Sequence, residues 1–245
     1  AEDGIRDYKV TGVQTCALPI LLFAEPGEVT KGLGQKLGAG CILVSPGSSY
    51  QKITKNHYQL NPTAVEEFKL LLAEVSAENA PIRGIVHLWS SLTTNAQLDT
   101  ALEYGCASLL HLVQALVQSQ QQEMPSLWVV TQGAMSVKSE GETVEVQQTP
   151  LWGLGRVVAW EHPELKCRLL DLESNSQATE IVRLLHQELM SPEDDSQIAY
   201  RQGKRQVSRL VRRHKTEPQS GITITSEASY LITGGLGALG LQLAQ

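Results

Sequence analysis

Near its C-terminus the chain reads Tyr230-Leu231-Ile232-Thr233-Gly234-Gly235-Leu236-Gly237-Ala238-Leu239-Gly240. Gly235, Gly237 and Gly240 stand in G-x-G-x-x-G spacing behind a short apolar run, which suits phosphate binding at a helix start. The first glycine allows a tight turn. The second lets the backbone approach a pyrophosphate with no Cβ in the way, and the third lets the helix lie close to the strand. The helix start adds N–H groups and the positive end of a dipole. The residue that selects the ribose is expected about 20 positions further on, past Gln245, so the pattern does not separate NAD from NADP. A tight strand-to-helix turn without a ligand is the plain alternative for the same glycines.

Other strings carry less. Tyr200-x-x-x-Lys204 has the spacing of a phenol whose pKa a neighbouring ammonium lowers, but that chemistry needs one helical face, and Gly203 interrupts the segment. A hairpin around Gly203 is expected instead. The basic run Arg201, Lys204, Arg205, Arg209, Arg212, Arg213 and Lys215 alternates with Val207, Leu210 and Val211, and reads as a solvated strand face rather than an RNA-binding patch. Trp152-Gly153-Leu154-Gly155-Arg156 could hold an anion, or could let a helix pack closely on a neighbour. Cys16, Cys41, Cys106 and Cys167 form no CxxC pair and read as free thiols, with neither a disulfide framework nor a metal site. His87 and His111 lie in apolar runs and are expected to be core histidines with backbone partners.

The elements that must position the loop follow a rhythm. Apolar runs at Ile20–Phe23, Cys41–Val44, Gly84–Trp89, Leu127–Thr131 and Leu169–Leu172 predict strands. Helical patterns at 31–37, from Asn61-Pro62-Thr63 onward, at 98–118, 152–160 and 181–190 alternate with them. The second of these helices starts with a capping box closed by Glu66. Short apolar strands alternating with amphipathic helices imply an α/β fold with a mostly parallel sheet covered on both faces. The first half carries Gly27, Gly32 and Gly34 without the fingerprint spacing, so no phosphate cradle is expected there. Polar residues 214–228 read as a linker, and a new strand is expected at Ser229–Thr233.

The whole chain has 245 residues, 42% hydrophobic and 19% charged, with a formal net charge of -6. Those values exclude collagen, coiled coil and wholesale disorder. No stretch reaches the roughly 20 continuous apolar residues of a membrane span. The acidity argues against nucleic acid as the main partner. Residues 1–19 show no periodicity, and the string EDGIRDYKVTGVQTCALPI resembles translated sequencing-adapter read-through. They are set aside as a disordered or artefactual leader.

Taken in order, LLFAE (21–25), IVHLWS (85–90), LLHLVQAL (109–116), LWVVTQGA (127–134), PLWGLGRVVAWEHPEL (150–165), LLDLE (169–173), IAYRQGKRQVSRL (198–210) and YLITGGLGALG (230–240) resemble the ketoreductase domain of modular type I polyketide synthases. The resemblance spans about residues 20–245. It implies a truncated Rossmann-like structural subdomain over 20–213 that binds no cofactor. The first strand and glycine loop of a second, catalytic Rossmann fold would follow over 229–245. The domain would use NADPH to reduce a β-ketoacyl group on an acyl carrier protein, alongside other polyketide synthase domains in the cytoplasm, with no nucleic acid or membrane partner. Thr233, Gly234, Gly235, Leu236, Gly237 and Gly240 match positions at the NADPH pyrophosphate. The catalytic Ser, Tyr and Lys are expected beyond Gln245, so the chain alone is expected to be inactive. The alternative is a structural scaffold or interaction module that supports a separate catalytic half.

Overall fold

The computed structural model describes residues 19–78, 81–90, 97–119, 121, 123–137, 142–174, 176–191, 194–212 and 225–244. The chain divides into two compact units at Ser208/Arg209. The leader before Pro19, Cys16 within it, and residues 214–224 of the expected linker lie outside the described residues.

The first unit is a nine-stranded sheet between two helical layers. Its strands are β1 (Ile20–Phe23), β2 (Cys41–Pro46), β3 (Gln51–Thr54), β4 (His57–Leu60), β5 (Gly84–His87), β6 (Ser126–Gln132), β7 (Arg168–Leu172), β8 (Gln197–Arg201) and β9 (Lys204–Val207). They lie in the order β3-β4-β2-β1-β5-β6-β7-β8-β9. From β4 to β8 all pairs are parallel, while β3 and β9 close the edges antiparallel. The four residues of β1 are all buried, as expected for a strand covered on both faces. The order reverses at β1. Connections run one way to β2 and β4, and the other way to β5 and beyond, as in a doubly wound dinucleotide fold.

One helical layer holds α2 (Val65–Glu78), α3 (Leu98–Leu102), α4 (Ser108–Gln118) and α5 (Thr149–Glu161). The other holds α1 (Glu28–Leu37) and α6 (Ala178–Met190). Leu21, Phe23, Phe68, Leu72, Trp89, Leu112, Leu116 and Trp152 fill the first interface, and Leu22, Leu33, Val86, Leu170, Val182 and Leu185 fill the second. Gly32 serves the α1–α6 contact. A Cβ on it would stand 2.8 Å from a Val182 methyl, so the two helices approach because that atom is missing.

Several expectations are sharpened or corrected. Helix α1 starts at Glu28, three residues before the expected start, because Thr30 and Gly27 bond reciprocally across its first turn. Strand β5 stops at His87, and Trp89 instead turns into the core, where its Nε1–H donates to the Val44 carbonyl (3.2 Å). Glu66 does not close the cap of α2. Glu67 Oε2 accepts the Asn61 N–H (2.7 Å), while Glu66 pairs with Lys69. The expected 98–118 helix contains a π-turn at Glu103–Ala107. Strands β3 and β4 were not expected, although His57-Tyr58-Gln59-Leu60 alternates polar and apolar residues and buries Tyr58 and Leu60. The hairpin at Gly203 is present: Gln202 (φ 53°) and Gly203 (φ 70°) are both left-handed, as a type I′ turn between β8 and β9 requires.

The second unit is short. The strand expected over Ser229–Thr233 does not form, and Leu231 is 93% exposed. A strand needs neighbours to take its N–H and C=O groups, and no second strand lies among the unit's described residues. The glycine run turns into α7 (Ala238–Leu243).

Candidate functional site

The glycine loop turns at Gly234, one residue before the glycine to which the spacing assigns the turn, and no strand directly precedes it among the described residues. Gly234 adopts φ 71°, a region open to glycine at little cost. The Gly237 N–H donates to the Gly234 carbonyl (2.9 Å), and the Gly235 N–H to the Ile232 carbonyl (3.2 Å). A Cβ on Gly240 would fall 2.5 Å from both the Gly234 oxygen and the Gly235 Cα. The start of α7 therefore rests on the loop backbone, and no other residue fits at Gly240. Thr233 and Leu236 sit within the same turn, and Leu236 is 94% exposed. Five of the six expected contact residues thus lie in the turn and Gly240 in the first turn of α7.

The first unit has no such loop at the matching place. After β1 comes Ala24-Glu25-Pro26-Gly27, and the Gly27 N–H at the start of α1 already donates to Thr30 Oγ1 (2.8 Å). Glu28 occupies the first turn with a negative charge, which satisfies the helix dipole internally. A recess of about 270 Å³ remains there, floored by Leu88, Leu172 and Ile181.

Beside it, at the ends of β6, β7 and β8, lies a buried polar web that sequence reading did not find. Asp171 is fully buried. It accepts from Thr131 Oγ1 (2.6 Å), the Ala134 N–H (2.8 Å), the Met135 N–H (3.2 Å) and Arg201 Nη2 (2.6 Å). Arg201 also binds Glu142, and it donates to the Met135 carbonyl (2.7 Å). The Trp152 Nε1–H donates to Thr131 (3.0 Å). The web ties the segment after β6 to the sheet. A lone Asp inside the apolar string Leu-Leu-Asp-Leu was the available signal, because a buried charge must be paired. The partner, 30 residues away, could not be named from sequence. This corrects the basic-face reading: Arg201 is 3% exposed, and Arg205 pairs with Glu188 and Asp195. Arg213 and Lys215 lie outside the described residues.

The remaining candidates resolve as structural. The Tyr200 hydroxyl donates to Glu188 Oε1 (2.5 Å) on α6; burial, first, and that carboxylate raise its pKa. Lys204 is exposed across the hairpin, and no helix joins the two. Gly155 is a packing residue, since a Cβ on it would stand 2.3 Å from Leu169 Cδ2. Cys41, Cys106 and Cys167 are free thiols, and burial pushes Cys41 up to about 11 and Cys167 up to about 12. The His111 Nδ1–H donates to the Pro62 carbonyl (3.0 Å), as expected of it. His87 instead bonds a side chain. Ser108 gives its hydrogen to the Tyr104 carbonyl (2.6 Å), so the His87 Nε2–H donates to Ser108 Oγ (2.8 Å). Burial pushes the His87 imidazole down to about 3. The helix Leu98–Gln118 has the length and hydropathy to cross a membrane, yet Leu109, Leu112, Val113 and Leu116 are buried in the core.

Comparison with known proteins agrees with this architecture. A family model described as "Beta-ketoacyl synthase-like, N-terminal" matches residues 19–188. Polyketide synthase GfsA of Streptomyces halstedii is 33% identical over 175 residues, which is 71% of this chain and 2% of that protein. Among solved structures, an A1-type ketoreductase superposes with a TM-score of 0.68 at 24% identity, over 93% of this chain and 45% of the other. A C2-type ketoreductase from a modular polyketide synthase superposes with a TM-score of 0.60 at 25% identity, over 81% of this chain and 42% of the other. The chain spans less than half the length of each of these three proteins. It belongs to the beta-ketoacyl synthase-like N-terminal family, and its fold is that of the ketoreductases of modular polyketide synthases.

Proposed function

We propose that the chain is the N-terminal part of a β-ketoacyl reductase: a scaffold unit followed by the phosphate loop of the catalytic half. The subdomain runs over 20–213, the linker over 214–228, and the catalytic half opens at 229. The observation that carries this reading is the glycine loop, where the Gly240 position leaves no room for a Cβ. The loop fits a dinucleotide pyrophosphate, with Thr233, Gly234, Gly235, Leu236, Gly237 and Gly240 around it. When bound, NADPH supplies the hydride that reduces a β-ketoacyl group carried on an acyl carrier protein. The role of this chain's own residues is positional. The loop backbone orients the phosphates. The first unit's own switch point, capped by Thr30 and charged by Glu28, holds no nucleotide.

Turnover requires a Ser with a Tyr-x-x-x-Lys pair on one helical face, and Tyr200 and Lys204 do not supply that pair because they flank a hairpin. The chain alone is therefore expected to be inert. The test is co-expression with the downstream half from the source gene, followed by NADPH oxidation with a β-ketoacyl thioester. The pair should turn over while the chain alone does not, and Gly240→Val should abolish the activity of the pair. Reduction by the chain alone, or full activity of the Gly240→Val pair, would overturn the reading.

A further inference from the structure

We propose that the recess at the carboxyl ends of β1, β5, β6 and β7 binds a small, largely apolar organic cation, an amine, and excludes nucleotides. The site is a cavity before it is a set of charges. It lies where the strand order reverses, between β1 and β5, which is where doubly wound sheets place ligands. Its volume is about 270 Å³, and a second recess of about 220 Å³ adjoins it, sharing Val29, Gln132, Ala178 and Ile181. At the ~30 Å³ that each water takes up in the liquid, the first recess has room for about nine or ten heavy atoms. Leu88, Leu172 and Ile181 are buried beneath it, and Ala24 and Val29 complete an apolar wall.

The polar groups around this floor decide the ligand's sign. Glu25 and Glu28 line the first recess and Glu145 the second, with no Lys, Arg or His among the lining residues of either. None of the three carboxylates forms an ion pair among the described residues. Among the described lining residues an anion therefore meets only carboxylates as charged side chains. Thr30 already takes the Gly27 N–H, so the backbone offers an anion one donor fewer at the start of α1. An ammonium group, in contrast, can lie against Glu25 and Glu28 while its apolar body covers Leu88, Leu172 and Ile181. Gln132 stands between the two recesses, and its side-chain amide can donate to or accept from a polar group on the body.

The full chain, isotope-labelled, can be titrated with 2-phenylethylamine, 3-phenylpropionate and AMP while the Thr30 and Gln132 amide resonances are followed. The amine should give saturable shifts at both. Phenylpropionate, with the same ring and the opposite charge, should bind about tenfold more weakly, which is what one or two partly exposed ion pairs supply. AMP should leave both resonances unmoved, even where it shifts the glycine-loop resonances. Ala178→Trp, which fills the shared wall, should abolish the amine shifts. The exposed rim variant Glu25→Gln/Glu28→Gln should keep amine binding but lose the tenfold preference, and it guards against misfolding of the first variant. Four results would overturn the proposal: no saturable amine shift, equal or tighter binding of phenylpropionate or AMP at Thr30 and Gln132, amine shifts that persist in folded Ala178→Trp, or a preference that survives in the rim variant. None of these outcomes depends on whether NADPH binds at the second unit.

Discussion

Removing the Asp171 carboxylate should be the most damaging single change in the first unit, and the structure sets its size. Asp171→Leu leaves Arg201, whose side chain is 2% exposed, without its most buried partner. It also orphans the N–H groups of Ala134 and Met135. Breaking a buried pair from one side costs about 3–5 kcal/mol, and each orphaned donor adds to that, so about 4–5 kcal/mol is expected. Arg201→Met should be milder, at about 2 kcal/mol, because Asp171 keeps three donors. Glu142 likewise keeps the Val137 N–H. The double variant should cost about as much as Asp171→Leu alone, since removing Arg201 also removes the buried charge that Asp171→Leu leaves without its carboxylate, which offsets the loss of its bonds to Glu142 and the Met135 carbonyl. That corresponds to a coupling of about 2 kcal/mol. Equilibrium urea unfolding followed by tryptophan fluorescence reads all three, and Trp152, bonded to Thr131, reports on the web itself. With a slope of about 2 kcal/mol/M, Asp171→Leu should move the midpoint by about 2 M. Additive costs in the double variant, or a loss below about 1 kcal/mol for Asp171→Leu, would refute this account of what holds the β6–β8 ends together.

Two further outcomes follow from local geometry. His87 is held neutral with its pKa lowered to about 3, against about 6.5 in an unfolded chain. The unfolded state therefore binds the extra proton first, so this stabilisation is complete above pH 6.5 and falls away as pH drops toward 3. The slope is at most about 1.4 kcal/mol per pH unit. His87→Leu should flatten the difference between urea midpoints measured at pH 7 and pH 5; an unchanged difference would mean that His87 does not set it. Gly32→Ala should force α1 off α6 through the 2.8 Å clash with Val182 and cost about 1–3 kcal/mol in a thermal melt. Adding Val182→Ala should recover most of the loss, and failure to recover would show that the close approach is not the cause.

The sequence alone determined the alternation of strands and helices, because burial on both sheet faces writes continuous apolar runs and burial on one helix face writes a stripe. It also determined the glycine loop, because backbone geometry at Gly234 and the room at Gly240 tolerate one residue type. Both kinds of signal are local. Tertiary structure alone decided that QKITKNHYQL folds into β3 and β4 at the sheet edge, since a strand exists only through the neighbours that take its backbone groups. It also paired Asp171 with Arg201 across 30 residues and turned the first unit's switch point into an acidic recess. Ion pairs and cavities are properties of surfaces brought together by folding, and no residue's neighbours in sequence specify which distant side chain will face it.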